Sequence, residues 1–137
     1  MPAAHCLEGK ILIAEGKWDL AAAELQKTLQ LDPNFSSAYD LLVQTYLATN
    51  KLPQAVSQLQ AELSKNPNNA SALMTLALVY ERMKDFPKAR DAYEKLLSIE
   101  PNFVPALNNL AYLYAERLND LDKAYDLARK ARDLQGE

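Results

Sequence analysis

The sequence predicts an all-α fold, an α-solenoid of four helix-turn-helix repeats with eight helices in its 137 residues. Three observations predict it. Several columns of residues share one period: Pro33, Pro67 and Pro101 are spaced 34 apart, as are Leu12, Tyr46, Tyr80 and Tyr114. Small residues keep the same spacing, in Ala4, Ala38, Ala72 and Ala106 and in Ala21, Ala55 and Ala89, with Ala124 one residue late. Within each period the apolar residues recur at i, i+3, i+4 and i+7, which is one face of a helix.

The elements follow in order. The first helix, near 3–15, carries Gly9 and Leu12 at the repeat's fixed positions, but His5 and Glu8 where later repeats have apolar residues. The second, near 18–31, opens on Trp18 and holds Ala21. Tyr39, Leu42, Val43 and Tyr46 define a helix near 36–49. Ala55, Val56, Leu59 and Leu63 define one near 53–65. Leu73, Leu76, Ala77 and Tyr80 repeat the pattern near 70–83, and Ala89, Ala92, Tyr93, Leu96 and Leu97 near 87–99. Leu107, Leu110, Ala111 and Tyr114 mark 104–117. Leu121, Ala124, Leu127, Ala128, Ala131 and Leu134 mark 121–134. Pro53 and Pro87 sit where a helix's first turn tolerates a missing N–H. Pro33, Pro67 and Pro101 follow the second helix of each pair and bias the preceding residue away from helical geometry, which stops the chain there.

Composition excludes several function classes. Apolar residues make up 49% and charged residues 24%, the balance of a folded chain rather than a disordered one. The net charge is -3, which speaks against a nucleic-acid partner. No apolar run approaches a membrane span, so no direct membrane insertion is expected. The three glycines, Gly9, Gly16 and Gly136, are too scattered for a phosphate loop. Cys6 cannot pair within the chain, and His5 has no second histidine to share a metal. No catalytic residue, cofactor or metal is expected. The N-terminus lacks the basic start and long apolar run of a secretory signal. The whole chain, 1–137, reads as a single repeat domain and is expected to be an excerpt of a longer protein.

The residues that carry the period also carry a resemblance. Tyr39-x2-Leu42-Val43-x2-Tyr46, then Ala55-x3-Leu59, then Pro67 is similar to the tetratricopeptide repeat signature. Leu73-x2-Leu76-Ala77-x2-Tyr80, Ala89-x3-Tyr93 and Pro101 repeat it. The resemblance covers essentially the whole chain, with repeats near 2–35, 36–69, 70–103 and 104–137. It implies a right-handed solenoid. The fourth repeat departs from the pattern by one extra residue in its RLNDLDK turn and by Gly136 where a proline would fall. The stretch LNNLAYLYAERLNDLDKAYDLARKA resembles a form found in long bacterial repeat proteins, many of them in the envelope. The sequence leaves the compartment open, and this resemblance favours a bacterial periplasm or envelope over the cytoplasm.

Each first helix keeps residues beyond its core face. They are Asp40, Leu41, Gln44 and Leu47 in the second repeat, Met74, Thr75, Leu78, Glu81 and Arg82 in the third, and Asn108, Asn109, Tyr112 and Glu116 in the fourth. Leu41, Leu47, Met74, Leu78 and Tyr112 exceed what a two-layer core requires. An exposed apolar strip with amides among it suits a protein or peptide segment: the apolar side chains bury a partner's, and Asn108, Asn109 and Gln44 bond its backbone. The resemblance implies the same place, because first helices of the family line a concave groove that holds peptides. The family's clamp for chaperone C-terminal carboxylates uses Lys and Arg. Asp40, Gln44, Thr75, Pro105 and Asn109 stand at the comparable positions here, so no such clamp is expected.

Two alternatives stand beside the scaffold reading. The apolar stripe at 121–134 suits a homo-oligomer joined through uncovered terminal helices. It equally suits a helper domain of a larger bacterial secretion or envelope protein. Other signals read as structure. His5 and Cys6 are adjacent and point about 100° apart on a helix, which gives no nucleophile–base pair. Asn119, Asp120 and Asp122 read as a solvated turn, and Arg129, Lys130 and Arg132 as surface charge.

Overall fold

A computed structural model of the chain describes residues 1–136. Glu137, the end of the fourth repeat, lies outside the described residues. Among the described residues there are eight α-helices and no strand: α1 (Pro2–Ala14), α2 (Trp18–Leu31), α3 (Ser36–Ala48), α4 (Leu52–Lys65), α5 (Ala70–Arg82), α6 (Phe86–Ile99), α7 (Val104–Glu116) and α8 (Leu121–Gln135). They form four helix-turn-helix repeats, and contacts group them into two units, Met1–Ser64 and Lys65–Glu137.

The turns inside the repeats share one device. Gly16, Asn50, Lys84 and Asn119 have φ of 74°, 57°, 61° and 55°, in the left-handed region. This geometry closes each first helix. The next residue's N–H reaches back to a helix carbonyl, from Lys17 to Leu12 at 2.8 Å, Lys51 to Tyr46 at 2.8 Å and Asp85 to Tyr80 at 2.9 Å. The longer fourth turn does the same from Asp120 to Tyr114 at 2.9 Å. Glycine and asparagine adopt this conformation readily, whereas Lys84 does so at a cost in backbone strain. Two of the helices that follow these turns, α6 and α8, are then capped by a side chain. Asp85 accepts from the Lys88 N–H at 3.3 Å and Asp120 from that of Lys123 at 3.1 Å. Asn69 caps α5 in the same way through Ala72.

In the first unit α1 and α2 pack as a hairpin and α3 packs on α2. Gly9 permits the close hairpin contact, since a Cβ there would stand 2.9 Å from the Leu25 side chain. Cys6, Leu25, Ala38, Leu42, Tyr46 and Ala55 form one buried cluster. Fully burying a leucine-sized side chain stabilises by about 1.5–3 kcal/mol. His5 is tied to Glu24 by a 2.7 Å contact from Nδ1 to Oε2, which draws the Glu24 carboxyl below its usual pKa. With Cys6 buried beside it, this pair belongs to the α1–α2 packing. The buried Thr28 and Thr45 hydroxyls donate to the carbonyls of Glu24 and Leu41, at 3.0 and 2.8 Å.

In the second unit α5 packs on α6, α7 on α6, and α8 on α7. Ala89, Tyr93, Leu96, Ala106 and Leu113 are 0% exposed. Ala21, Ala55 and Ala89, which share the repeat spacing, are all fully buried, where a small side chain suits close helix packing. Lys88 and Lys123 lie over the rings of Tyr80 and Tyr114, at 5.8 and 5.3 Å from the centroids, so repeat-equivalent side chains make equivalent contacts. The stripe on α8 divides. Ala124 and Ala131 are buried, whereas Leu121 is 70% exposed.

Candidate functional site

The first helices place the candidate residues differently in the two units. On α3, Asp40 and Gln44 are exposed. Leu41 and Leu47 are half-buried and pack against the first unit's cluster, so part of their apolar surface serves the core. The Asp40 carboxyl is raised above its usual pKa, first by burial and then by the nearby charge of Glu62. The folded chain therefore holds this proton more tightly than the unfolded one. Any stability gained from it is present at low pH and lost as pH rises through the carboxylate range.

On α5, Met74 and Thr75 are half-buried, and the Thr75 hydroxyl donates to the Ser71 carbonyl at 3.0 Å. Leu78 and Arg82 are exposed, Leu78 to 43%. On α7, Asn108 and Tyr112 are exposed, Tyr112 to 59%, and Asn109 is half-buried. Leu78 and Tyr112 occupy the same repeat position, 34 residues apart. Their helix neighbours Leu76, Val79, Tyr80, Leu110, Leu113 and Tyr114 are all buried. The exposure of these two large apolar side chains is thus specific to one face.

Asn109 turns inward. Its side chain bonds the hydroxyl of the buried Tyr93, which itself donates to Glu81. Burial and then the Glu81 bond push the Tyr93 phenol well above its usual pKa. One polar knot thereby joins α5, α6 and α7. The Tyr114 hydroxyl donates to Glu94, and its phenol is pushed up to about 12, mainly by burial.

Asn108 and Tyr112 meet α8 instead. A pocket of about 690 Å³ opens between α7 and α8, floored by Ala111, Ala124 and Ala128 and walled by Tyr112, Leu121 and Tyr125. Tyr125, 61% exposed, was not among the residues the sequence picked out. Its signal was an aromatic residue just beside the α8 stripe. Asn119 and Asp120 serve the turn and the α8 cap. No helix among the described residues is long and apolar enough to cross a membrane.

Comparison with known proteins agrees with this geometry. Two family models, each described as tetratricopeptide repeat, match residues 41–103 and 92–126. A crystal structure of MamA is similar at 28% identity and a TM-score of 0.85, covering 98% of this chain and 78% of that one. A second MamA structure has 28% identity and a TM-score of 0.83, over 98% of this chain and 73% of that one. MamA from residue 41 onward of Desulfovibrio magneticus RS-1 shares the fold at 23% identity and a TM-score of 0.82, over 98% and 76% of the two chains. No curated protein matches the sequence.

Proposed function

Because the chain belongs to the tetratricopeptide repeat family, a family of protein-interaction scaffolds, we propose that it is a non-catalytic scaffold that holds a partner protein's segment on the free faces of its first helices. The observation that carries this reading is the pair Leu78 and Tyr112, large apolar side chains left in solvent at one repeat position while their helix neighbours are buried. Apolar residues set in a polar surround are the ordinary anchors of a recognition face. Met74 extends the apolar surface on α5. Asn108 supplies both donor and acceptor to a partner backbone on α7, and Gln44 does so on α3. Asp40, Leu41, Leu47, Thr75, Arg82 and Asn109 border these positions on the same three helices and complete the proposed set. Asp40 and Arg82 would set charge preference, and the half-buried residues would fix the shape of the face.

Selection from a random peptide library, followed by titration of the strongest binder, tests the reading. Leu78→Glu is expected to weaken binding at least about tenfold while circular dichroism stays unchanged. Undiminished binding would place recognition on another surface.

A further inference from the structure

The polar knot that joins α5, α6 and α7 has a counterpart of different chemistry in the first unit. Two repeat periods before Glu81, Tyr93 and Asn109 stand Ile13, Leu25 and Leu41. Leu25 and Tyr93 are both fully buried, and their four companions are all half-buried. Leu25 belongs to the first unit's cluster, and Ile13 and Leu41 pack against it. The position therefore accepts an apolar trio at the same burial. Packing gives no reason for making all three members polar, because buried polar groups that bond one another gain little over apolar groups of similar size.

Donors and acceptors show what the polar trio adds. The Tyr93 hydroxyl has one hydrogen, which goes to Glu81. The Asn109 bond favours the ionised phenol, so in it the amide N–H donates to the Tyr93 oxygen. The bonds thus run from Asn109 through Tyr93 to Glu81. Left over are the second Glu81 oxygen and the Asn109 amide oxygen, both acceptors, against a single amide hydrogen. Among the described residues no buried side-chain oxygen or nitrogen lacks a partner, so the acceptors these bonds leave over open to solvent. Glu81 lies one turn from Leu78, and Asn109 one turn from Tyr112, so on each helix acceptor and apolar anchor share a side. Arg82 points about 100° away from Glu81 around α5. The two helices carry three charged residues, Glu81, Arg82 and Glu116, of which two are acidic.

We infer that the Glu81–Tyr93–Asn109 trio selects partner segments that carry a lysine or arginine beside a large apolar side chain, an inference that rests on the first-helix face being the binding face. An ammonium or guanidinium group offers donors only, which matches a rim of leftover acceptors. The bond to a carboxylate is charge-assisted, and Tyr93 already holds that carboxylate in place, so less ordering is left for the complex to supply. An acidic partner residue in the same place would oppose Glu81 and set acceptors against acceptors. The apolar trio of the first unit offers neither the attraction nor the discrimination.

Peptides selected from the random library test this. Those that Leu78→Glu no longer binds are expected to carry Lys or Arg at a fixed spacing from a large apolar residue. Replacing that cation by methionine in the strongest of these peptides is expected to weaken binding at least about tenfold at low salt, and added salt to narrow the gap. Glu81→Gln still accepts from Tyr93 but has lost the charge, so the two peptides are expected to bind it about equally. The triple variant Glu81→Ile, Tyr93→Leu, Asn109→Leu copies the first unit's trio. It is expected to keep its helical circular dichroism and also to lose the preference. Selected peptides without enriched cations overturn the inference and leave the reading of the face standing, as does a preference that survives in both variants. If no selected peptide depends on Leu78, the reading of the face falls and the inference falls with it.

Discussion

Tyr93→Ala is expected to lower the unfolding free energy by about 3–5 kcal/mol, the largest effect of any truncation considered. The side chain is 0% exposed, so its removal leaves a ring-sized cavity in the second unit. It also strips the hydrogen bond from Glu81 and leaves Asn109 without its inward partner. Tyr93→Phe separates the two contributions. It keeps the ring and loses only the hydroxyl, and is expected to cost about 1–3 kcal/mol. Denaturant titration of both variants checks the pair. Equal losses would mean that the polar knot, not the packing, holds α6 between α5 and α7.

Ala89→Trp is expected to cost about 1–3 kcal/mol or more by overpacking. Ala89 is 0% exposed and belongs to the column that lets the two helices of a repeat approach closely. An indole there must displace α6 from α5 or force side chains off their rotamers. Ala55→Trp, at the equivalent position in the first unit, is expected to behave alike, since Ala55 is also fully buried. A thermal melt that shows no loss for either variant would contradict this packing register.

The helices were legible because proline and small-residue columns mark them twice, once by helical periodicity and once by the 34-residue repeat. The predicted span 18–31 matches α2, and 53–65 differs from α4 by one residue at its start. The left-handed turn residue was not legible at Lys84. Lysine gives no local signal for positive φ, and only its alignment with Gly16 and Asn50 reveals the position. The candidate face was legible where exposure follows helix geometry alone, as at Leu78 and Tyr112. It was less so at Leu41 and Leu47, whose partial burial depends on contacts with the neighbouring cluster. The inward turn of Asn109 was hidden too, because its partner Tyr93 lies on another helix. The α8 stripe showed the same limit. Ala124 and Ala131 are covered by the packing of α8 on α7, and the surface left bare is Leu121, Tyr125 and Ala128.

The central claim is that the free faces of the first helices, not the second, hold another polypeptide. Backbone-amide shifts of the labelled chain, followed while the selected peptide is added, test it most directly. The account predicts the largest changes along α5 and α7, around Met74 to Leu78 and Asn108 to Tyr112, with α4 and α6 nearly still. Changes concentrated on the exposed faces of α4 and α6 would contradict it.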